Sequence, residues 1–258
     1  MLGAVTGDII GSVWEGQVRN PRDAQLFSAR STFTDDTVCT IAVADWILGG
    51  AGDDLARTMC GWVRRYPGAG YGMMFVNWAI SGGGEPYGSW GNGSAMRAAP
   101  CGWAGRDQAD VLDLAARSAR ITHDHPNAVT AAEALALSVF LARRGADAQT
   151  VRQEITERFG YDLTRTPEAI RPRHVFDLSA AGTVPVALLC ALCADSFENT
   201  MRNAIWLGGD TDTIACIAGA VAEPLFGLPP DIERETKARL DAPLRAVAEK
   251  FLERHGTG

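Results

Sequence analysis

The chain has 258 residues, 47% of them hydrophobic and 21% charged, with a net charge of −7. That is ordinary globular composition and enough chain to bury a large core. An acidic balance with no Lys or Arg run excludes an extended phosphate-gripping face for nucleic acid, but not a small anion held by metal ions or backbone N–H groups.

Helical spacing dominates from the start. Leu2, Val5, Ile9 and Val13 recur at three- and four-residue steps, and Gly3, Gly7 and Gly11 form a second, smooth face. Each helical glycine costs about 1 kcal/mol relative to alanine, so three imply a packing or site reason. Asp8 and Glu15 sit on or just after this segment. Strong apolar helices are expected over residues 37–48 and 55–66, the second capped by Asp53 or Asp54. Residues 67–93 are glycine-rich with Tyr71, Tyr87 and Trp90 interspersed, a pattern of loops whose backbone comes close to something. Met73–Ile80 reads as a short helix between two such loops.

Further helices are expected over 108–121, 126–144 and 151–159, with Pro126 in the first turn after His125. Residues 161–182 are polar and broken by Pro167 and Pro172, hence a long connection. Helices follow over 185–194, 196–206 and 211–223. Asp195 and Glu198 have capping-box spacing at the second of these. One or two amphipathic helices fill 232–255. No strand alternation, repeat or low-complexity linker appears, so the expected fold is all-α, a single domain over 1–258.

Six cysteines occur, mostly among apolar residues. Cys190 and Cys193 match CxxC, but they lie in an apolar run with no second pair at zinc spacing, which favours buried helix cysteines. The N-terminal residues lack the pattern of a signal peptide, and no apolar run approaches the ~20 residues that span a bilayer. A cytoplasmic, reduced, non-membrane protein is expected.

Two acidic clusters carry the chemistry. Thr34-Asp35-Asp36 and Asp210-Thr211-Asp212-Thr213 each place two carboxylates beside threonine hydroxyls at the start of an apolar helix. One Asp per helix start is an ordinary cap. Two in succession repel each other, and a cation would remove the conflict. Carboxylate and hydroxyl oxygens are hard ligands suited to Mg²⁺, Mn²⁺ or Ca²⁺. Brought together by the fold, the clusters would form a metal site with room for two ions.

The segment from Gly88 to Arg97 is the third element. It is no Walker loop, because no Gly-Lys-Ser/Thr follows. Its N–H groups and Ser89 could cradle phosphate oxygens, and Asn92 could orient a sugar. Arg97 is either a phosphate contact or a structural residue bonded to loop carbonyls. His123 and His125 could form a metal pair but read more readily as caps or structural residues, with His123 alternatively bonding a phosphate or ribose oxygen.

Taken in order, Gly7-Asp8-Ile9-Ile10-Gly11-Ser12-Val13-Trp14-Glu15, Phe33-Thr34-Asp35-Asp36-Thr37, Gly91-Asn92-Gly93-Ser94-Ala95-Met96-Arg97, Thr122-His123-Asp124-His125-Pro126 and Leu207-Gly208-Gly209-Asp210-Thr211-Asp212-Thr213-Ile214-Ala215 resemble the motifs of the ADP-ribosylglycohydrolase family. The resemblance runs from the N-terminus to about residue 220, although the chain is shorter than the animal members. It implies a helical fold with a binuclear Mg²⁺ or Mn²⁺ centre, ligated by Thr34, Asp35, Asp36, Asp210, Asp212 and Thr213. It also implies that Gly70-Tyr71-Gly72 and Gly88-Ser89-Trp90-Gly91-Asn92 hold the diphosphate and ribose of ADP-ribose, with His123 nearby. Trp90 stands where relatives often have Tyr. Glu15 matches an acidic residue that some members place over the metals, and either Glu15 or Asp36 could be the general acid or base. The implied activity is release of ADP-ribose from modified protein side chains, arginine-linked favoured and serine- or other O-linked next, by a chain acting as a monomer. Rival readings are a metal-dependent nucleotide phosphohydrolase and a non-catalytic ADP-ribose binder.

Overall fold

A computed structural model of the chain describes residues 1–18 and 20–256. Among these the regular structure is helical throughout, with no strand, as the periodicity requires. In chain order the helices are α1 (Leu2–Gly11), α2 (Asp35–Leu48), α3 (Leu55–Arg65), α4 (Met73–Ile80), α5 (Gly93–Met96), α6 (Ala99–Ala104), α7 (Gln108–Arg120) and α8 (Pro126–Arg143). They continue as α9 (Ala148–Phe159), α10 (Pro167–Ile170), α11 (Ala180–Leu192), α12 (Phe197–Leu207), α13 (Thr211–Phe226), α14 (Pro230–Arg239) and α15 (Ala242–His255).

The centre of the core is a pair of helices from opposite ends of the chain. Every residue of α1 is buried, and α13 is buried from Thr211 to Ala222. The glycine face of α1 is what lets them meet. A Cβ at Gly3 would lie 2.3 Å from the Gly219 carbonyl oxygen, at Gly7 1.9 Å from that of Ala215, and at Gly11 2.4 Å from that of Thr211. Nothing larger than hydrogen fits there, so the entropy cost of three helical glycines is the cost of a backbone-to-backbone seam. Helices α11 and α12 close over the other sides of α13, and α2 and α8 also reach it.

Several boundaries differ from the sequence expectation for identifiable reasons. Asp147 caps α9 by accepting from the Thr150 N–H at 2.8 Å, so that helix starts earlier than 151. Ser179 caps α11 by accepting from the Gly182 N–H at 3.0 Å, which starts it five residues before Pro185 and leaves that proline inside the helix. Pro167 opens α10 instead of breaking the chain, with Thr166 as the cap. At α12 the capping residue is Ser196, which accepts from the Asn199 N–H; Asp195 takes the Asn199 side-chain amide instead. Asp54 stands at the N-cap position of α3, yet its side chain makes no capping bond. Helices α5 and α6 fall in a stretch whose Gly and Pro content concealed them. Cys190 is buried in α11 as expected, but Cys193 at its C-terminal end is exposed, and none of the six cysteines is in a disulfide.

One antiparallel bridge matters for function. Asn92 N–H donates to the Leu178 carbonyl at 2.9 Å, and Ala180 N–H donates to that of Trp90 at 3.0 Å, pairing Gly91 with Ser179. This pins the glycine-rich loop to the connection before α11. Among the described residues no helix is long and apolar enough to cross a membrane.

Candidate active site

The α1–α13 seam and the start of α2 bring both acidic clusters into one cavity of about 500 Å³. Its organiser is Asp8, fully buried in the middle of α1. Its two carboxylate oxygens accept four hydrogen bonds from the start of α2: Thr34 N–H at 2.9 Å, Thr34 Oγ1 at 2.6 Å, Thr37 N–H at 3.0 Å and Thr37 Oγ1 at 2.5 Å. Thr34 in turn caps the helix by accepting from the Asp36 N–H at 3.3 Å. Asp8 thereby fixes the angle at which Asp35 and Asp36 enter the cavity.

Asp36 is buried, and its Oδ2 accepts from Thr213 Oγ1 of the second cluster at 3.2 Å. Its Oδ1 is buried with no partner. Asp210 accepts from the Asn92 amide at 2.5 Å, and the same amide reaches Thr183 Oγ1 at 3.1 Å. Asn92 therefore ties the glycine loop to the second acidic cluster. Glu15 stands exposed at the mouth, on a turn whose position Gly208 and Gly209 set: Gly16 N–H donates to the Gly209 carbonyl at 2.8 Å, and Gly209 N–H to that of Gln17 at 3.0 Å. A Cβ at Gly208 would lie 2.4 Å from the Gln17 carbonyl oxygen. The bare backbone there admits the Glu15 turn.

The carboxylates form two overlapping triads. Oxygens of Asp8, Asp36 and Asp212 lie within 4.8 Å of one another, and so do oxygens of Glu15, Asp210 and Asp212. Burial pushes the Asp35 carboxyl up to about 7, helped by the charge on Asp8. Burial and the Asp210 charge push Asp212 up to about 9, and burial lifts Asp210 to about 6. Asp36 is raised well above its ordinary range by burial and by Asp212. Among the described residues no Lys or Arg is ion-paired to any of them. An orphaned buried oxygen amid uncompensated carboxylates and hydroxyls is a donor set that fits a hard divalent cation.

The remaining wall comes from two loops and His123. Gly70 has φ +103°, and a Cβ there would stand 3.5 Å from Asp35 Oδ1. Gly70, Gly72, Ser89, Gly91, Asn92 and His123 all line the cavity. Three expected residues lie elsewhere. The Tyr71 ring stacks on Phe75 at 5.6 Å with its hydroxyl buried and unpartnered. Gly88 N–H donates to Asp124 Oδ1 at 2.8 Å, and Trp90 is 58% exposed. Burial and the Arg97 charge hold His123 down to about 2, so its ring is neutral. His125 caps α8, accepting from the Asn127 N–H at 3.1 Å. Arg97 is structural: it is fully buried, and its Nη2 donates to the Ser118 carbonyl at 2.8 Å. Asp8 was not among the residues expected to build the site, although it stands in the Gly7-Asp8-Ile9-Ile10-Gly11 motif and is the lone carboxylate of α1.

The family model for ADP-ribosylglycohydrolase matches residues 1–257. The chain belongs to the ADP-ribosylglycohydrolase family. Similar relatives of this family include ADP-ribosylhydrolase ARH3 of Danio rerio, 28% identical over 88% of this chain and 82% of that protein. ADP-ribosylhydrolase ARH3 of Homo sapiens is 26% identical, covering 88% and 84%. Among solved structures, a chain described as an ADP-ribosylglycohydrolase-related protein complex superposes with a TM-score of 0.75 at 25% identity, over 98% of this chain and 95% of that one. As an ADP-ribosylglycohydrolase, the protein is a hydrolase acting on ADP-ribosyl glycosyl bonds.

Proposed function

We propose that the chain removes ADP-ribose from modified protein side chains by cleaving the bond at the anomeric carbon of the distal ribose. The observation that carries this is the partnerless Asp36 Oδ1 at the convergence of both acidic clusters, beside a cavity long enough to continue along the glycine loops. Two divalent cations, Mg²⁺ or Mn²⁺, would be held by Thr34, Asp35, Asp36, Asp210, Asp212 and Thr213, of which Asp36, Asp210 and Asp212 belong to the two overlapping triads. Bound there, such ions would supply Lewis-acid contact to ribose hydroxyls and an oriented water.

The protein's own groups do the rest. Ser89 offers its hydroxyl to the diphosphate beside the bare backbone of Gly91, and the Gly70–Gly72 loop supplies further wall. Positive charge developing on the sugar ring is stabilised by the surrounding carboxylates, as in glycoside hydrolysis. Glu15 is better placed than Asp36 to move the proton, since it stands exposed at the mouth while Asp36 Oδ2 is occupied by Thr213. An arginine linkage suits this mouth best, because a departing guanidinium would meet the Glu15 carboxylate. Serine- and other O-linked forms come next. We read the protein as a monomer, and free thiols at every cysteine suit a reducing cytoplasm. The test is mass spectrometry of products from arginine- and serine-linked substrates with Mg²⁺ or Mn²⁺. Release of intact ADP-ribose is expected, fastest from arginine; no release from any linkage would end the proposal.

A further inference from the structure

His123 offers its two ring nitrogens to different surroundings. Its Nδ1 lies 2.7 Å from Thr122 Oγ1, and its Nε2 faces the cavity beside the glycine loop, where a Cβ at Gly93 would come within 3.0 Å of it. Thr122 is fully buried, and Arg97 Nη2 donates to its hydroxyl oxygen at 2.9 Å. A guanidinium only donates, so the Thr122 proton remains free to be given elsewhere. Among the described residues, His123 Nδ1 is the acceptor the hydroxyl meets. Were Nδ1 protonated instead, two donors would converge on Thr122 and its own buried proton would be stranded, at the full desolvation cost.

Resting on the reading that the cavity binds ADP-ribose, we infer that Thr122 and Arg97 are positioning residues that lock His123 as the Nε2–H tautomer, a fixed neutral donor aimed at an oxygen of that ligand. The anchor is the last turn of α7. Arg97 Nη2 also donates to the carbonyls of Ser118 and Ala119 at 2.8 and 3.4 Å, and His123 N–H donates to that of Ala119 at 2.8 Å. Carbonyls at a helix C-terminus carry partial negative charge, which compensates in part for burying a guanidinium whose Nε has no partner and which has no carboxylate at ion-pair distance among the described residues. The imidazole is confined between the Gly93 backbone and the Tyr87 ring, whose centroid is 6.1 Å away. The role follows from this frame: His123 donates one proton-bearing nitrogen to the substrate and neither takes nor releases a proton.

The test reads tautomer and affinity separately. In metal-free protein labelled with ¹⁵N-histidine, two-bond ¹⁵N–¹H spectra should show His123 with a bare Nδ1 and a protonated Nε2. Thr122→Val should mix the tautomers and weaken ADP-ribose binding about 3- to 10-fold by calorimetry, the loss of one oriented hydrogen bond. Thr122→Ser, which keeps the hydroxyl, should restore both. A wild-type spectrum showing Nδ1–H overturns the lock whether or not Thr122→Val folds. Unchanged tautomer and affinity in Thr122→Val overturn it equally. A wild-type Nε2–H spectrum without ADP-ribose binding keeps the lock and rejects the ligand reading instead.

Discussion

Asp36 is a side chain whose burial costs the fold. It is buried next to Asp35 and Asp212, with an oxygen that no protein group satisfies. Asp36→Asn replaces a carboxyl that must take up a proton to be buried in that crowd with a neutral amide that can donate to its neighbours. The variant should melt higher than wild type in the absence of metal, by about 2–4 °C for each kcal/mol relieved. It should also lose turnover by at least about 10²-fold, since a metal contact and the local charge balance go together. Calorimetry and a product assay on the same preparation would check both. The titrations give a second expectation. The raised carboxyls of Asp35 and Asp212 hold protons in the folded chain that the unfolded chain releases above about pH 4. Folding therefore takes up protons, and metal-free stability should fall as pH rises from about 4 through 9. Divalent metal competes with those protons, so its affinity should rise over the same window. Urea melts at several pH values, with and without Mn²⁺, would reveal a slope of the wrong sign.

At the scale of elements, the seam between α1 and α13 carries the site. Gly7→Ala puts a methyl group against the Ala215 backbone, where the space ends at 1.9 Å. Backbone cannot yield as a flexible side chain can. The substitution should cost more than about 3 kcal/mol and take metal binding with it, measured by thermal denaturation and Mn²⁺ titration. The glycine spacing in α1 and the paired carboxylates before α2 and α13 could be read from the chain because each is costly without a compensating contact. Asp8 could not: a single Asp between Gly7 and Ile9 looks the same whether it faces solvent or gathers four donors. The starts of α9 and α11 were obscured for a related reason. Their caps, Asp147 and Ser179, precede residues with no apolar period, so the capping signal stood apart from the pattern it begins. The side-chain direction of Tyr71, turned away onto Phe75, is a matter of tertiary packing that loop composition does not encode.

For the whole molecule, the acidic cavity makes stability conditional on its ligand. A cation that binds only the folded state at 100 times its dissociation constant adds about 2.7 kcal/mol. Mg²⁺ or Mn²⁺ at that concentration should therefore raise the melting temperature of the chelator-treated protein by roughly 5–10 °C at constant pH, the shift growing with the logarithm of ion concentration. A melting temperature indifferent to both ions would count against the metal centre.

The α1–α13 pairing also bears on how the protein is made. Helix α1 is made well ahead of its partner surface on α13, which lies about 200 residues downstream. At about 5–20 residues per second, the face of nascent α1 that meets α13 waits some 10–40 s for that partner, while α2 is already available to its other side. The half-site it carries, Asp8 with Asp35 and Asp36, exists for that interval without its counterpart. A chain truncated ahead of α13 would thus present both an apolar helix with one face uncovered and an unclosed acidic cluster, a signature by which quality control could tell an unfinished molecule from a finished one.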